Sequence, residues 1–401
     1  MRLLYVTQSY FPFLDKGGPV VKVRALARGM ASAGHGVTVL TADLGLDEAK
    51  RKALQAVPNR WGYEANEEGV EAIYLSTRAR YRALTWNPGV AGFCRDRLAG
   101  FNLAHIYGLY DLIGPRVARA CRGNGHPYLV EPMGMFRPII RNIGMKRMYH
   151  AVLGGPMIAG ASRVIATSNQ ERDELLEGGV PNEKIVVRRN GIEVPSRLPS
   201  RGDFRNKWNI SKHVKLVLFL GRLVSKKSPD LILEAFSRWQ RSSRGAQGSV
   251  LVFAGPDEGD GYRQRLEALA AGMGLNGGVL FTGPLYDNAK WAAYRDADLF
   301  VLPSQNENFG NTAAEAVACG TPVLVTDRCG IAPIVDRRAG VVVPHDSAAL
   351  EAGLGQILDH PEFAADLRMG CAGVYRSLGW AEPLSEMEIL YRKLVPERRT
   401  D

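Results

Sequence analysis

Short β-branched and apolar runs alternate along the chain with segments whose apolar positions recur every three to four residues. This alternation of strand-like and helix-like patterning predicts parallel α/β sheets. In the first half the strand candidates are Leu3–Val6, Val37–Leu40, Ala104–Tyr107, Tyr128–Val130 and Val164–Thr167. A second series follows at Leu216–Leu220, Val250–Phe253, Val279–Phe281, Leu299–Leu302, Pro322–Val325 and Val341–Val343. Between the two, Pro195-Ser196-Arg197-Leu198-Pro199-Ser200-Arg201-Gly202 is rich in turn formers and poor in apolar residues, the composition of a linker. Two Rossmann-like α/β domains are therefore expected, over 1–195 and 203–378, and 401 residues leave room for both. The tail breaks the alternation. Trp380, Leu384, Met387, Leu390, Tyr391 and Leu394 share one helical face, so an amphipathic helix over 380–396 must pack on one of the domains.

Open parallel sheets bind ligands beyond the carboxyl ends of their strands, and two of them face to face would bury a ligand in the cleft between. The loops after strands are thus where chemistry is expected. The richest is Pro303-Ser304-Gln305-Asn306-Glu307-Asn308-Phe309-Gly310-Asn311-Thr312-Ala313-Ala314-Glu315-Ala316, which opens a helix near Asn311. Amides of Gly310, Asn311 and Thr312 at a helix start suit a phosphate. Glu315, one turn in, is placed to accept hydrogen bonds from ribose hydroxyls, and Glu307 from sugar hydroxyls. The plainer reading is a capped helix with surface acids.

A second loop, Gly221-Arg222-Leu223-Val224-Ser225-Lys226-Lys227-Ser228-Pro229, follows Leu216–Leu220. Gly221 permits close approach, while Arg222 and Lys227 offer a bidentate fork and a point charge to a leaving diphosphate. A solvated basic loop is the alternative. In the first half, Gly17-Gly18-Pro19 precedes the helical pattern Val20–Met30 and suits a tight backbone turn. His105 has the type of side chain that hydrogen-bonds a sugar hydroxyl, although a lone histidine is more often structural.

Two motifs are set aside. Asp296-Ala297-Asp298 spells a metal-holding Asp-x-Asp but lies where a helix turns into a strand, a position aspartate favours in its own right. No Gly-x-Gly-x-x-Gly follows the first strand, so the architecture does not imply NAD. The five cysteines are scattered without Cys-x-x-Cys spacing, which argues against a disulfide framework or zinc site and for a reducing cytosol. The amino terminus runs straight into a strand without signal-peptide form. No apolar stretch reaches the ~20 residues that span a bilayer. The formal charge of +10 suits an anionic partner without choosing among them.

Taken together and in order, Gly221-Arg222 with Lys227, Phe253-Ala254-Gly255, Phe281-Thr282-Gly283, Leu302-Pro303-Ser304, Glu307 through Glu315 and Ala318-Cys319-Gly320-Thr321-Pro322-Val323 resemble the retaining GT-B glycosyltransferases of family four, the glycosyl transferases group 1. The resemblance spans nearly the whole chain. It implies that Arg222 and Lys227 bind the donor diphosphate, Glu315 the nucleotide ribose and Glu307 the donor sugar. Backbone amides at Phe309 and Gly310 would contact sugar or phosphate, with Gly17, Gly18 and His105 facing the donor from the first domain. It also implies that the tail helix crosses back to the first domain, the acceptor side. Two positions depart from the pattern: Ser228 stands where many relatives have Gly, and Met133 where many have His before Gly.

The expected activity is retaining transfer of a hexose-type sugar from a nucleotide-diphosphate donor to a glycan, glycolipid or small-molecule acceptor, in cell-surface polysaccharide or glycoconjugate biosynthesis. The base (UDP, GDP or ADP) stays open. With no second carboxylate to name as nucleophile, same-face attack is favoured over a covalent intermediate. No cofactor and no metal are expected. Alternatives are a GT-B nucleotide-sugar epimerase and a non-catalytic nucleotide-binding scaffold. Residues Met135–Met148 mix apolar side chains with Arg137, Arg141, Lys146 and Arg147, which fits either peripheral contact at the inner face of the membrane or a solvated basic face. Nucleic acid is not an expected partner, because no aromatic-lined basic module is present.

Overall fold

A computed structural model describes residues 1–13, 17–81, 84–137, 143–242, 248–257, 259, 261–275 and 277–395. Arg141 and the last position of the expected 380–396 helix lie outside them. The chain divides into two compact units, Met1–Gly191 with Trp380–Asp401, and Ile192–Gly379. The first boundary therefore falls at Gly191, ahead of the Pro195–Gly202 segment.

The first unit carries β1 (Arg2–Thr7), β2 (Gly36–Ala42), β3 (Val57–Asn59), β4 (Gly62–Glu67), β5 (Val70–Leu75), β6 (Ala79–Tyr81), β7 (Leu84–Trp86), β8 (Leu103–Tyr107), β9 (Tyr128–Glu131), β10 (Arg163–Ala166) and β11 (Ile185–Val187). Nine of these form one sheet in the order β11-β10-β9-β8-β1-β2-β5-β4-β3, and β6 pairs with β7 separately. The sheet is parallel from β11 to β5 and ends in an antiparallel extension through β4 and β3, which the alternation of patterns does not anticipate. Leu3, Leu4, Tyr5 and Val6 on β1 are all buried, as a strand covered by helices on both faces requires.

The second unit has six strands, β12 (Leu216–Leu220), β13 (Val250–Ala254), β14 (Val279–Gly283), β15 (Leu299–Leu302), β16 (Val323–Thr326) and β17 (Gly340–Val343). They run parallel in the order β14-β13-β12-β15-β16-β17. This is the doubly wound arrangement of a Rossmann-like sheet, whose strand order reverses between β12 and β15.

Candidate active site

The crevice beyond the carboxyl ends of β12 and β15 is where such a sheet accepts a ligand. Both chemically rich loops leave from these two strands. After β12, Gly221 and Arg222 lead into a single 3-10 turn, Ser225–Lys227. After β15, the chain runs from Pro303 to Gly310 and enters the helix Asn311–Ala318. The loops are joined directly. Gln305 N–H donates to the Lys226 carbonyl at 3.0 Å, and Lys227 Nζ pairs with Glu307 Oε2. Glu307 is itself pinned, its N–H to the Arg328 carbonyl and its carbonyl to the Gly330 N–H, each at 2.9 Å. The side chains of Lys227 and Glu307 keep 19% and 18% of their exposure, low enough to strengthen their attraction yet open to a ligand.

Glycine is required at two places here. A Cβ on Gly255 would sit 1.8 Å from the Gly221 carbonyl oxygen, so only glycine lets the ends of β12 and β13 zip up. Gly310 caps the helix with φ 106°, and a Cβ there would meet Ile331 Cγ2 at 2.9 Å. No side chain caps this helix. Its first-turn amides lack intrahelical partners by geometry and favour an anion. Phe309 buries its ring in the core and offers only its backbone, while Asn311 is half-buried at the helix start.

One turn on, Glu315 accepts from Lys290 Nζ at 2.8 Å and from the Tyr294 hydroxyl at 2.9 Å. Burial, together with the neighbouring Glu315 carboxylate, pushes the Tyr294 hydroxyl well above its ordinary pKa and keeps it a donor. Arg222 is exposed on the β12 loop. Ser228 follows with φ 48°, held by hydrogen bonds to the Ser225 carbonyl (3.3 Å) and His345 Nε2 (2.9 Å). A left-handed backbone is the reason glycine suits this position.

In the first unit the strand order reverses between β1 and β8. Gly17 (φ 82°) and Gly18 start the helix Gly18–Ser32 after β1, are exposed, and no side chain caps this helix either. His105 is placed differently from the sugar-facing role expected of it. It lies inside β8 with no exposed surface, and its Nδ1 is 2.7 Å from the Tyr391 hydroxyl. Burial drives its pKa down to about 3 against the pull of Glu131, so the ring is a neutral core group.

The model of the glycosyl transferases group 1 matches residues 200–370, and that of the glycosyl transferase 4-like domain matches 17–191. The chain belongs to the group 1 glycosyltransferases. Among relatives, the D-inositol 3-phosphate glycosyltransferase of Salinispora tropica is 30% identical over 257 residues, 61% of this chain and 53% of the relative. That of Streptomyces bingchenggensis is 32% identical over 253 residues, covering 61% and 56%. The chain thus spans little more than half the length of these curated relatives. Among solved structures, sucrose-phosphate synthase from Thermosynechococcus elongatus superimposes with a TM-score of 0.73 at 21% identity, covering 98% of both chains. Anabaena HepE in complex with UDP and glucose gives 0.76 at 17%, covering 98% of this chain and 100% of that one. The shared fold is GT-B.

In this group 1 glycosyltransferase the Asp-x-Asp motif is committed to structure. Asp296 accepts from the N–H groups of Gly202 (2.6 Å), Phe204 (2.9 Å) and Arg205 (3.0 Å), tying down the start of the helix Asp203–Lys207. Asp298 takes Arg205, Arg368 and the Leu216 N–H. Lys290 and Tyr294, which hold the candidate residue Glu315, are positions that sequence reasoning passes over. Their signal was present: both lie on the helix Asp287–Asp296, four positions apart, the spacing that lets two side chains on one face grip one carboxylate.

Proposed function

We propose that this chain is a retaining glycosyltransferase that moves a hexose-type sugar from a nucleoside-diphosphate sugar to a glycan, glycolipid or small-molecule acceptor. The observation that carries the reading is the meeting of Lys227 and Glu307 at the strand-order reversal, beside an uncapped helix start. A cation and a helix amino terminus at one point suit a departing diphosphate, whose negative charge grows as the glycosidic bond breaks. Arg222 on the same loop adds a bidentate donor, and Glu315, steadied by Lys290 and Tyr294, takes the ribose. The UDP-bound state of the HepE structure supports a uridine donor, and the names of the sequence relatives support a polyol acceptor. With Glu307 given to the sugar hydroxyls rather than standing free as a nucleophile, same-face attack is favoured, a donor phosphate oxygen taking the acceptor proton.

Transfer assays with UDP-, GDP- and ADP-hexoses test this. Arg222→Ala and Lys227→Ala should each lose a charged hydrogen bond worth ~1.5–3 kcal/mol, or roughly 10- to 150-fold in turnover. Protein cations in place of a metal predict that excess EDTA leaves the rate unchanged. Wild-type turnover in both variants at saturating donor sinks the assignment. Isomerised donor without transfer would establish the epimerase instead.

The acceptor side has a surface of its own. Along Ile143–Tyr149 and the following His150–Gly154 turn, Met145 (42%), Met148 (64%) and Val152 (64%) are exposed at helical spacing beside Arg147. No helix among the described residues is long and apolar enough to cross a membrane. This stripe fits peripheral docking of a cytosolic protein on an anionic leaflet. Co-sedimentation with phosphatidylglycerol vesicles, but not phosphatidylcholine vesicles, is expected, and Met148→Glu should abolish it. Equal recovery with both lipids, or an unaffected variant, refutes the docking.

A further inference from the structure

We infer that Glu307 also serves as an internal stand-in for the diphosphate, and that it thereby makes the site discriminate intact nucleotide sugar from free nucleoside diphosphate. This rests on the functional reading above. That reading asks Lys227 to hold a phosphate and Glu307 to hold sugar hydroxyls, yet in the structure the two hold each other. The backbone of Glu307 is held in place, its N–H and carbonyl both bonded to the 328–330 segment, so its carboxylate stays within side-chain reach of the site. Lys227 is the partner that can turn, with three N–H donors on a four-carbon stem. Once a diphosphate enters, this ammonium faces two anions.

The consequence depends on what enters. A free diphosphate draws Lys227 away and leaves a largely enclosed carboxylate beside a new negative charge, which is unfavourable. An intact donor draws Lys227 away as well, but its sugar hydroxyls donate to the abandoned carboxylate. The sugar therefore offsets the disruption that the diphosphate causes. After transfer the hydroxyls leave with the acceptor, Glu307 competes for Lys227 again, and the product diphosphate is held less tightly. Glu315 shows the contrast. Its two oxygens are filled by Lys290 and Tyr294, neither of which the diphosphate needs, so binding there adds to existing bonds rather than replacing them.

The test is titration calorimetry on wild type, Glu307→Gln, Lys227→Met and the double variant. The ligands are whichever of UDP, GDP and ADP binds wild type most tightly, and its glucose conjugate. Glu307→Gln should bind the free diphosphate roughly fivefold tighter, the upper range for a partly exposed ion pair. It should not bind the sugar conjugate tighter by the same factor, so the preference for intact donor falls. In the Lys227→Met background, where there is no ion pair to break, the gain should shrink to what relief of the carboxylate–diphosphate repulsion alone gives. Unchanged or weaker diphosphate binding by Glu307→Gln, or an equal gain without Lys227, overturns the inference while leaving donor binding intact. Wild type that binds none of the nucleotides overturns the functional reading and this inference with it.

Discussion

Glu131→Gln is expected to lower the stability of the first unit by about 3–5 kcal/mol, the cost of removing one partner from a buried ion pair. Glu131 is fully buried at the end of β9. Arg188 Nη2 lies 2.7 Å from both its oxygens, Lys22 pairs with it, and His105 Nε2 stands 3.6 Å away. Burial alone would raise the Glu131 carboxyl, but Arg188 and Lys22 outweigh it and hold the group below its ordinary value. Lys22 is pushed by burial down to about 8 despite that partner. Losing the carboxylate strands two cations, of which only Lys22 can escape by releasing its proton.

This escape gives the variant a pH signature. Above its folded-state pKa Lys22 is neutral in the native state but protonated in the unfolded chain, so stability rises with pH up to the ordinary lysine value. In wild type the rise begins near pH 8. In Glu131→Gln it begins lower, because the carboxylate that held the proton is gone, so the deficit narrows as pH rises toward 8. Acid acts the other way in wild type. His105 stays neutral down to about pH 3 in the folded state, so stability falls as pH drops below the free-histidine value toward that point. Glu131 adds to this loss as pH falls through its depressed value. Urea melts across this range provide the check: a loss under about 1 kcal/mol, or a deficit that grows with pH, contradicts the account.

The buried charges also show where sequence reading stops. The central strands were legible to within a residue or two, because parallel strands covered on both faces are continuous apolar runs, as at Leu216–Leu220. β4 was not: Gly62-Tyr63-Glu64-Ala65-Asn66-Glu67 is polar, and only Ala65 and Glu67 are buried. β5, Val70–Leu75, is mostly apolar and almost wholly buried, and the structure shows the turn before it placing Glu68 and Gly69 at positive φ, as a tight hairpin demands. In the second unit the site loops could be placed from the chain alone, because they follow recognisable strands and the topology sends both to one crevice. Lys227 against Glu307 could not be read that way. The two are 80 positions apart and meet only through that topology. His105 was misplaced for a related reason. A histidine within a strand buried on both faces has no surface to offer, and its partner Tyr391 is 286 positions away.

A chain ending at Leu378 should fail to yield a soluble, folded first unit. The helix Ala381–Leu394 follows the second unit in sequence but is grouped with the first. It buries Pro383, Met387 and Tyr391, and Leu384 packs so closely that a Cβ on Gly29 would lie 2.5 Å from it. Tyr391 extends deepest. Its hydroxyl lies 3.0 Å from that of Tyr5 and 2.7 Å from His105 Nδ1, beneath the centre of the sheet. At the rim Glu388 meets His35 Nε2 at 3.2 Å, and Glu382 meets Arg189 at 2.5 Å. Burying each large apolar side chain stabilises by ~1.5–3 kcal/mol, so removing Leu384, Met387 and Tyr391 together approaches the whole ~5–15 kcal/mol of an ordinary domain. Deletion also exposes Tyr5 and His105, which Tyr391 covers from this face. Of the two rim contacts, the Arg189–Glu382 ion pair faces solvent on its carboxylate side and adds little. Tyr391→Phe separates the contributions: it keeps the ring packed, removes the hydroxyl shared by Tyr5 and His105, and should cost only ~1–3 kcal/mol. Soluble yield and melting temperature of the two proteins decide the matter. A truncated chain that melts with wild type would show the helix to be dispensable, whereas loss of folding in the truncation with a modest loss in Tyr391→Phe assigns its stabilisation to packing.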